Sequence, residues 1–349
     1  MHMADALVSP AVAGTMYAVS AAAAGYSIYK VKKEDDASKI PVMGVMGAFV
    51  FATQMINFTI PGTGSSGHLC GGMLLSALLG PYAGFLTMIG VLFVQCLMFA
   101  DGGLLALGCN IWNMAFYGCF IGSLLIWKFI MKNGVSKKKI TIASILGCVI
   151  TLQLGAFSVT LETLASGITK LSFGAFVSVM QPIHLAIGLV EGIITACVLV
   201  FVYEARPELL WGIGGSSEKL KNRFSLKKTV AILAAAAVVI AGGLSLAASQ
   251  YPDGLEWSIE KLTGDTELEA DGEIYDKASQ VQDTTAVLPD YSFKDSDSAA
   301  GTSVSGIAGA LMVVAVCTAG CFIFRFFNQF VLTIKIDFSM ISYFYLLFI

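Results

Sequence analysis

The sequence predicts an all-α, polytopic membrane protein, and three observations carry that expectation. Only 13% of the 349 residues are charged and 56% are hydrophobic, about half the charge that clothes a water-facing domain. Apolar runs of roughly 20 residues, the length that crosses a bilayer as a helix, recur along the chain. Lysine and arginine fall in short blocks between those runs, the pattern that orients membrane segments. A mean hydropathy of +0.77 agrees. An ordinary cytosolic enzyme, a nucleic-acid binder and a disordered scaffold are excluded.

The candidate spans follow in order. The first, 8–29, starts at Pro10, a residue suited to a first helical turn, and ends in Lys30, Lys32, Lys33 and Lys39. Span 41–60 returns. The apolar stretch 67–79 is too short to count on length alone and turns at Gly80-Pro81 into 82–99. Span 104–127 leads to Lys128, Lys132, Lys137, Lys138 and Lys139; spans 140–165 and 173–203 lead to Arg206, Lys219, Lys221, Arg223, Lys227 and Lys228. If 67–79 crosses, or nearly crosses, the three basic blocks follow spans one, five and seven and share one side. Short cytoplasmic loops carry such an excess, so the amino terminus is expected outside and the carboxyl end inside. Spans 229–248 and 304–325 bracket a loop, 249–303, that holds 13 of the 24 acidic residues and a net charge of −10. That loop belongs on the outer face, and its runs 264–276 and 289–305 are polar enough to be largely flexible.

The expected organisation is therefore a seven-helix unit over 1–205, a basic cytoplasmic linker over 206–228, and a two-helix hairpin over 229–325 with an acidic extracytoplasmic loop. A hydrophobic tail, 326–349, follows. No internal repeat is evident. All eight cysteines lie in apolar stretches without a CxxC pair, which reads as packing rather than a disulfide framework. The first ten residues lack the basic start of a cleavable signal, so the amino terminus is expected to be retained.

Chemistry concentrates at three histidines, His2, His68 and His184. With histidine at position 2, the Met1 amine, the His2 amide nitrogen and its imidazole Nδ1 close five- and six-membered rings on one ion. Three nitrogens then share a plane with a fourth position open, an arrangement that suits Ni(II) or Cu(II). Methionine is usually removed only before a small second residue, so Met1 should stay. The plainer alternative is a chance histidine on an exposed end. His68 follows Pro61-Gly62-Thr63-Gly64-Ser65-Ser66-Gly67 on the side that carries Met1. Ser66 is placed to cap a helix starting near His68, with Cys70 about 200° further round it. Irregular backbone at membrane depth is tolerated only when protein buries it or it lines a cavity, so this loop is expected to dip towards a pocket the terminus can enter. The alternative is an interfacial histidine. His184 and Glu191, seven apart, share a helix face; with Ser65 and Ser66 they are candidates for groups that support the ligands from behind, or for a structural polar pair. Glu162 and Asp101 sit near outer span ends, where interfacial exposure accounts for them. Gly14, Ala18 and Ala22, with Ala21 and Gly25 alongside, permit close helix contact, within the chain or with a partner. No GxxxxGK[ST] and no HExxH is present, so the energy for any transport comes from elsewhere.

Those residues carry a resemblance. Met1-His2, the segment Asn57 to Pro81, the run Phe99 to Gly108 with Asn110 and Asn113, and His184 through Gly192 look like the cobalt/nickel substrate-binding membrane components of energy-coupling-factor transporters, over roughly 1–205. The second part, with Pro252-Asp253-Gly254-Leu255-Glu256 just outside a span, resembles the small two-span companion of that system, here fused in one chain. The resemblance implies an amino-terminal segment inserted into its own bundle and a divalent ion held by the Met1 amine, the His2 amide and imidazole, and His68. It also implies a transmembrane coupling subunit, two cytoplasmic ATPases and a bacterial or archaeal cell membrane. The small-residue face of span one is the implied dock. Co2+ or Ni2+ is then cargo, and no resident cofactor or nucleic acid is expected. The tail 326–349 departs from the short basic end the resemblance implies.

A second class also fits part of the sequence. Gly64-Ser65-Ser66-Gly67 matches the GxSG of rhomboid-type intramembrane serine proteases, with Ser66 as nucleophile and His184 as base. That chemistry needs the two within hydrogen-bond reach.

Overall fold

A computed structural model describes residues 1–34, 36, 39–213, 223–294, 298–320 and 322; the tail 326–349 lies outside the described residues. Among the described residues the architecture is helical, apart from one two-stranded hairpin. Helices α1 (Pro10–Glu34) and α2 (Lys39–Gln54) lead into strands β1 (Phe58–Ile60) and β2 (Ser65–Gly67). The short α3 (Gly72–Leu79) and the long α4 (Pro81–Phe99) follow. Then come α5 (Leu107–Met131), α6 (Lys137–Ser166) and α7 (Phe173–Ala205). Helix α8 (Leu226–Gly242) rises to α9 (Gly254–Thr263) and α10 (Glu273–Thr285), and α11 (Ala299–Gly320) returns.

Among the described residues six helices are long and apolar enough to cross a membrane: α1, α4, α5, α6, α7 and α11. Helix α2 stops at Gln54 rather than near residue 60, because the chain there enters the hairpin. Helix α8 is 17 residues long and ends at Gly242. Pro81 opens α4 at its first turn, the position where its missing N–H costs nothing. Ser136, Ser172 and Ser225 each accept a hydrogen bond from the first turn of α6, α7 and α8 respectively.

Helices α6 and α7 pack so closely that a Cβ on Gly192 would lie 2.6 Å from Ile145 Cα. Their approach exemplifies small residues bringing membrane helices together. The core lies between α2, α3, α4, α5 and α7, where Phe51, Phe85, Phe99 and Leu75 are fully buried. Helix α1 stands at the edge, with only Ala13, Ser20 and Ser27 buried.

The acidic segment 249–303 departs from its expectation in part: within the runs expected to be flexible, 273–276 opens α10 and 299–305 opens α11. Much of it is folded: α9 lies on α7, α10 lies on α4, and Trp257 Nε1 donates to Thr63 O at 3.0 Å. Polar composition signals solvent exposure here, not lack of structure; one face of each short helix is buried through Leu255, Ile259 and Ala278.

Candidate metal centre at the inserted amino terminus

The first eight residues enter the bundle. Met1, Met3, Leu7 and Val8 are buried, and the segment is held along its main chain. Met3 N donates to Asn110 Oδ1 at 2.7 Å, while Asn110 Nδ2 and Gly103 N donate to Met3 O. Asp5 then accepts from Ala106 N, and Tyr275 donates to Val8 O. These bonds satisfy a chain segment that would otherwise bury unpaired polar groups.

The terminal amine faces His68 Nε2 at 3.0 Å and pairs with Asp253 Oδ2. His68 sits between β2 and α3, 8% exposed, with Nδ1 directed at Leu69 O at 3.0 Å. That contact leaves Nε2 to the amine, the orientation a supporting carbonyl gives a ligating histidine. The His2 ring stacks on His68 at 5.2 Å, with Nδ1 3.0 Å from Asp101 Oδ1 and Nε2 3.3 Å from Gln95 Oε1. So the amine, His2 and His68 are brought together, while Nδ1 of His2 is engaged by a carboxylate.

Burial lowers the His2 pKa to about 4, so the ring is neutral at pH 7. Burial also works against a charged amine, yet the charge of Asp253 and its hydrogen bond outweigh that and raise the amine above its ordinary value. Asp253 is held well below the usual carboxylate range: burial opposes this, but the amine and His68 prevail. Burial and the neighbouring Asp253 push Glu256 up to about 7.

The separation of 3.0 Å between the amine and Nε2 is close to the roughly 2.8 Å between adjacent corners of a square whose nitrogens lie about 2 Å from an ion. Among the described residues, no three His, Cys, Asp or Glu side chains are placed to hold a metal together. A site here needs nitrogen from the main chain. It opens to a cleft of about 760 Å³ lined by His2, Gln54, His68, Asp101 and Asp253 among others. Gln54 Oε1 is buried without a hydrogen-bond partner.

Several expectations are corrected. Ser66 caps no helix: it lies in β2, its N–H donates to Pro252 O at 2.8 Å and its Oγ to Tyr251 O at 2.7 Å. Helix α3 begins at Gly72, so Cys70 is not on a helix with His68. Ser65 Oγ likewise bonds to main-chain oxygens of Ser66 and Pro252. Glu191 and His184 share the buried face of α7 but do different things. Glu191 accepts from Cys70 N and Gly71 N, both at 2.9 Å, which fixes the turn behind His68. His184 Nδ1 donates to Met180 O at 2.8 Å, and its ring lies against Gly254. Among the described residues no Ser66–His184 hydrogen bond forms, so the protease pairing is absent. Glu162 is buried against Asn113 at 2.7 Å rather than interfacial. Gly14, Ala18 and Ala22 are exposed on α1.

Asp253, Asp101, Gln95 and Tyr291 escaped sequence reasoning as site residues. Asp253 had a signal: Asp253 and Glu256 form a capping box at the start of α9, legible as an Asp followed three residues later by Glu. Tyr291 donates to Asp101 and stacks on Phe99 at 4.7 Å; nothing local announces a contact across 190 positions.

Comparison with known proteins shows the family to which the chain is similar. Residues 2–209 match the family described as the cobalt uptake substrate-specific transmembrane region, and residues 227–326 match the PDGLE domain. A putative fused nickel transport protein of Archaeoglobus fulgidus is 34% identical over 319 residues, 90% of this chain and 96% of that one. A probable fused nickel transport protein of Lactiplantibacillus plantarum is 30% identical, covering 75% of this chain and 79% of its own. A cobalt transport protein of Geobacter sulfurreducens is 26% identical, over 76% of this chain and 78% of its own. The crystal structure of a truncated transition metal transporter superposes with a TM-score of 0.52 at 29% identity, covering 58% of this chain and 99% of that one.

Proposed function

This chain belongs to the family of cobalt uptake substrate-specific transmembrane regions and carries a PDGLE domain behind it, and from that premise we propose that it is the substrate-binding membrane component of an ATP-driven energy-coupling-factor importer for Co2+ or Ni2+. It is a multi-pass membrane component of a transporter, not an enzyme. The ion is bound by the Met1 amine, the His2 amide and imidazole nitrogens, and His68 Nε2.

The observation that carries this reading is the buried amine 3.0 Å from His68 Nε2, under a stacked His2 ring. A charged terminus in a protein interior is costly, and chelation gives that insertion a purpose. Loading requires the His2 ring to turn Nδ1 from Asp101 into the plane of the amine and amide. The amine and the amide each give up a proton as they ligate, because only deprotonated nitrogens bind.

The chain has no GxxxxGK[ST] motif, so on this reading ATP is hydrolysed by other subunits, which the family resemblance implies are two cytoplasmic ATPases acting through a transmembrane coupling subunit. The exposed face of Gly14, Ala18 and Ala22 is the proposed dock for that subunit. The basic blocks support an amino terminus outside and a carboxyl end inside. On this reading the units 1–205 and 229–325, joined by the linker 206–228, are the binding component and its companion.

Residues added ahead of Met1 test the chelate. The extended chain should still fold yet bind no Ni2+ or Co2+ at stoichiometric level, and His68→Ala should also lose the ion. Ser66→Ala should keep it, because Ser66 touches only main-chain oxygen. Full metal content in the extended chain overturns the reading.

A further inference from the structure

Among the described residues, Asp253 is the one carboxylate in contact with two of the nitrogens in the proposed chelate, and any role for it at the ion rests on that reading. Its Oδ2 pairs with the Met1 amine and lies 3.6 Å from His68 Nε2. Its other oxygen is committed elsewhere: Oδ1 accepts from Leu255 N at 2.7 Å and Glu256 N at 3.0 Å, while Glu256 Oε2 accepts from Asp253 N. The capping box therefore fixes the carboxylate's direction.

The turn carrying it is seated just as firmly. Tyr251 O and Pro252 O accept from Ser66. A Cβ on Gly254 would meet Ile187 at 2.8 Å and the His184 ring at 3.0 Å. Asp253 is thus a preorganised oxygen, 12% exposed, and not a mobile loop acid.

Four nitrogens of the chelate fill the four corners of a plane. A donor that touches two adjacent corners lies either beyond their shared edge or above the plane, and only from above can it reach the ion itself. An ion that takes over the amine's positive charge also keeps the carboxylate neutralised, so Asp253 need not withdraw when the site loads. We propose that Asp253 supplies an apical oxygen ligand to the bound ion, making the PDGLE turn part of the metal site and a determinant of which ion it prefers. Planar nitrogen ligation satisfies d8 nickel(II) without a further donor, whereas d7 cobalt(II) gains from a fifth. The carboxylate therefore shifts the site towards cobalt relative to four nitrogens alone.

Cobalt K-edge absorption on the purified full chain tests this, because a planar ion without an axial donor shows a 1s-to-4pz shoulder below the edge. The unmodified chain should lack the shoulder. Asp253→Asn should bind one ion per chain, show the shoulder, and lose about tenfold in cobalt-over-nickel preference in direct competition. Asp253→Glu should suppress the shoulder again. A shoulder in the unmodified chain overturns the proposal whatever the variants do, and so does an unchanged preference in a folded Asp253→Asn chain. Failure of the chelate itself looks different: cobalt would then survive residues added ahead of Met1.

Discussion

At the scale of single residues the site is a problem in placing protons. The His2 ring, with its pKa lowered to about 4 by burial, brings no proton that an ion must displace near neutrality. The Met1 amine does: burial alone would neutralise it, but Asp253 keeps it charged and raises its pKa. The His2 amide brings a second. On the proposed chelate two protons leave for each ion bound, so the apparent affinity for Ni2+ should rise about a hundredfold per pH unit between roughly pH 6 and 7.5. Titrations at three pH values check the slope, and a flat profile would contradict main-chain ligation. That Met1, His2 and His68 could meet was legible, because position 2 of a chain has its own chelate chemistry and a glycine-rich loop before His68 is visible in the letters; the structure brings the three together. Asp101 and Gln95 were not. They meet His2 across 93 positions or more, through the packing of α4 against the inserted segment, and no local pattern encodes that.

At the scale of elements, the interrupted third segment is what sets the histidine at depth. Its shortness was readable from the run of apolar residues, but its start was not. A helix beginning at His68 would need its first N–H groups capped locally, by Ser66. Instead Glu191 reaches across from α7 to the N–H groups of Cys70 and Gly71, and the helix waits until Gly72. Gly71 makes this turn possible at φ +81°, a left-handed conformation, with its own α-hydrogen facing Val50. A Cβ there would lie 2.4 Å from Val50 Cγ1. Gly71→Ala combines a backbone cost of about 1–2 kcal/mol with overpacking of about 1–3 kcal/mol. Thermal unfolding should fall accordingly. Nickel affinity, measured well below the transition, should weaken at least tenfold because His68 moves with the turn. Wild-type affinity in a destabilised variant would show that the turn supports the fold but not the ligand.

At the scale of the whole molecule, two surfaces have opposite characters. The acidic hairpin loop closes over the amino terminus: Gln282 Nε2 donates to Gly102 O at 2.9 Å and Ser249 N to Asn57 O at 2.7 Å. Its charge was legible but its docking was not, since Gln282 and Gly102 lie 180 positions apart in the sequence and no local pattern encodes such a contact. Helix α1 presents the reverse. Its inner side is used up by Ala13, Ser20 and Ser27, with Ser20 Oγ bonded to Gly108 O at 2.9 Å. Its small residues point away, and among the described residues nothing lies within 4 Å of a Cβ built on Gly14 or Gly25. Leucine at position 14, 18 or 22 therefore has room in the isolated chain, and exposed helix substitutions of this kind change stability by only about 0.5 kcal/mol. Metal content and melting of Ala18→Leu and Ala22→Leu should match the unmodified chain. If a coupling subunit must approach α1 backbone to backbone, the same substitutions hold the two helices apart, and cellular uptake of radioactive nickel should fall at least tenfold. Intact uptake with all three positions replaced would move the dock off this helix, while lost metal binding would mean that the face serves the bundle itself.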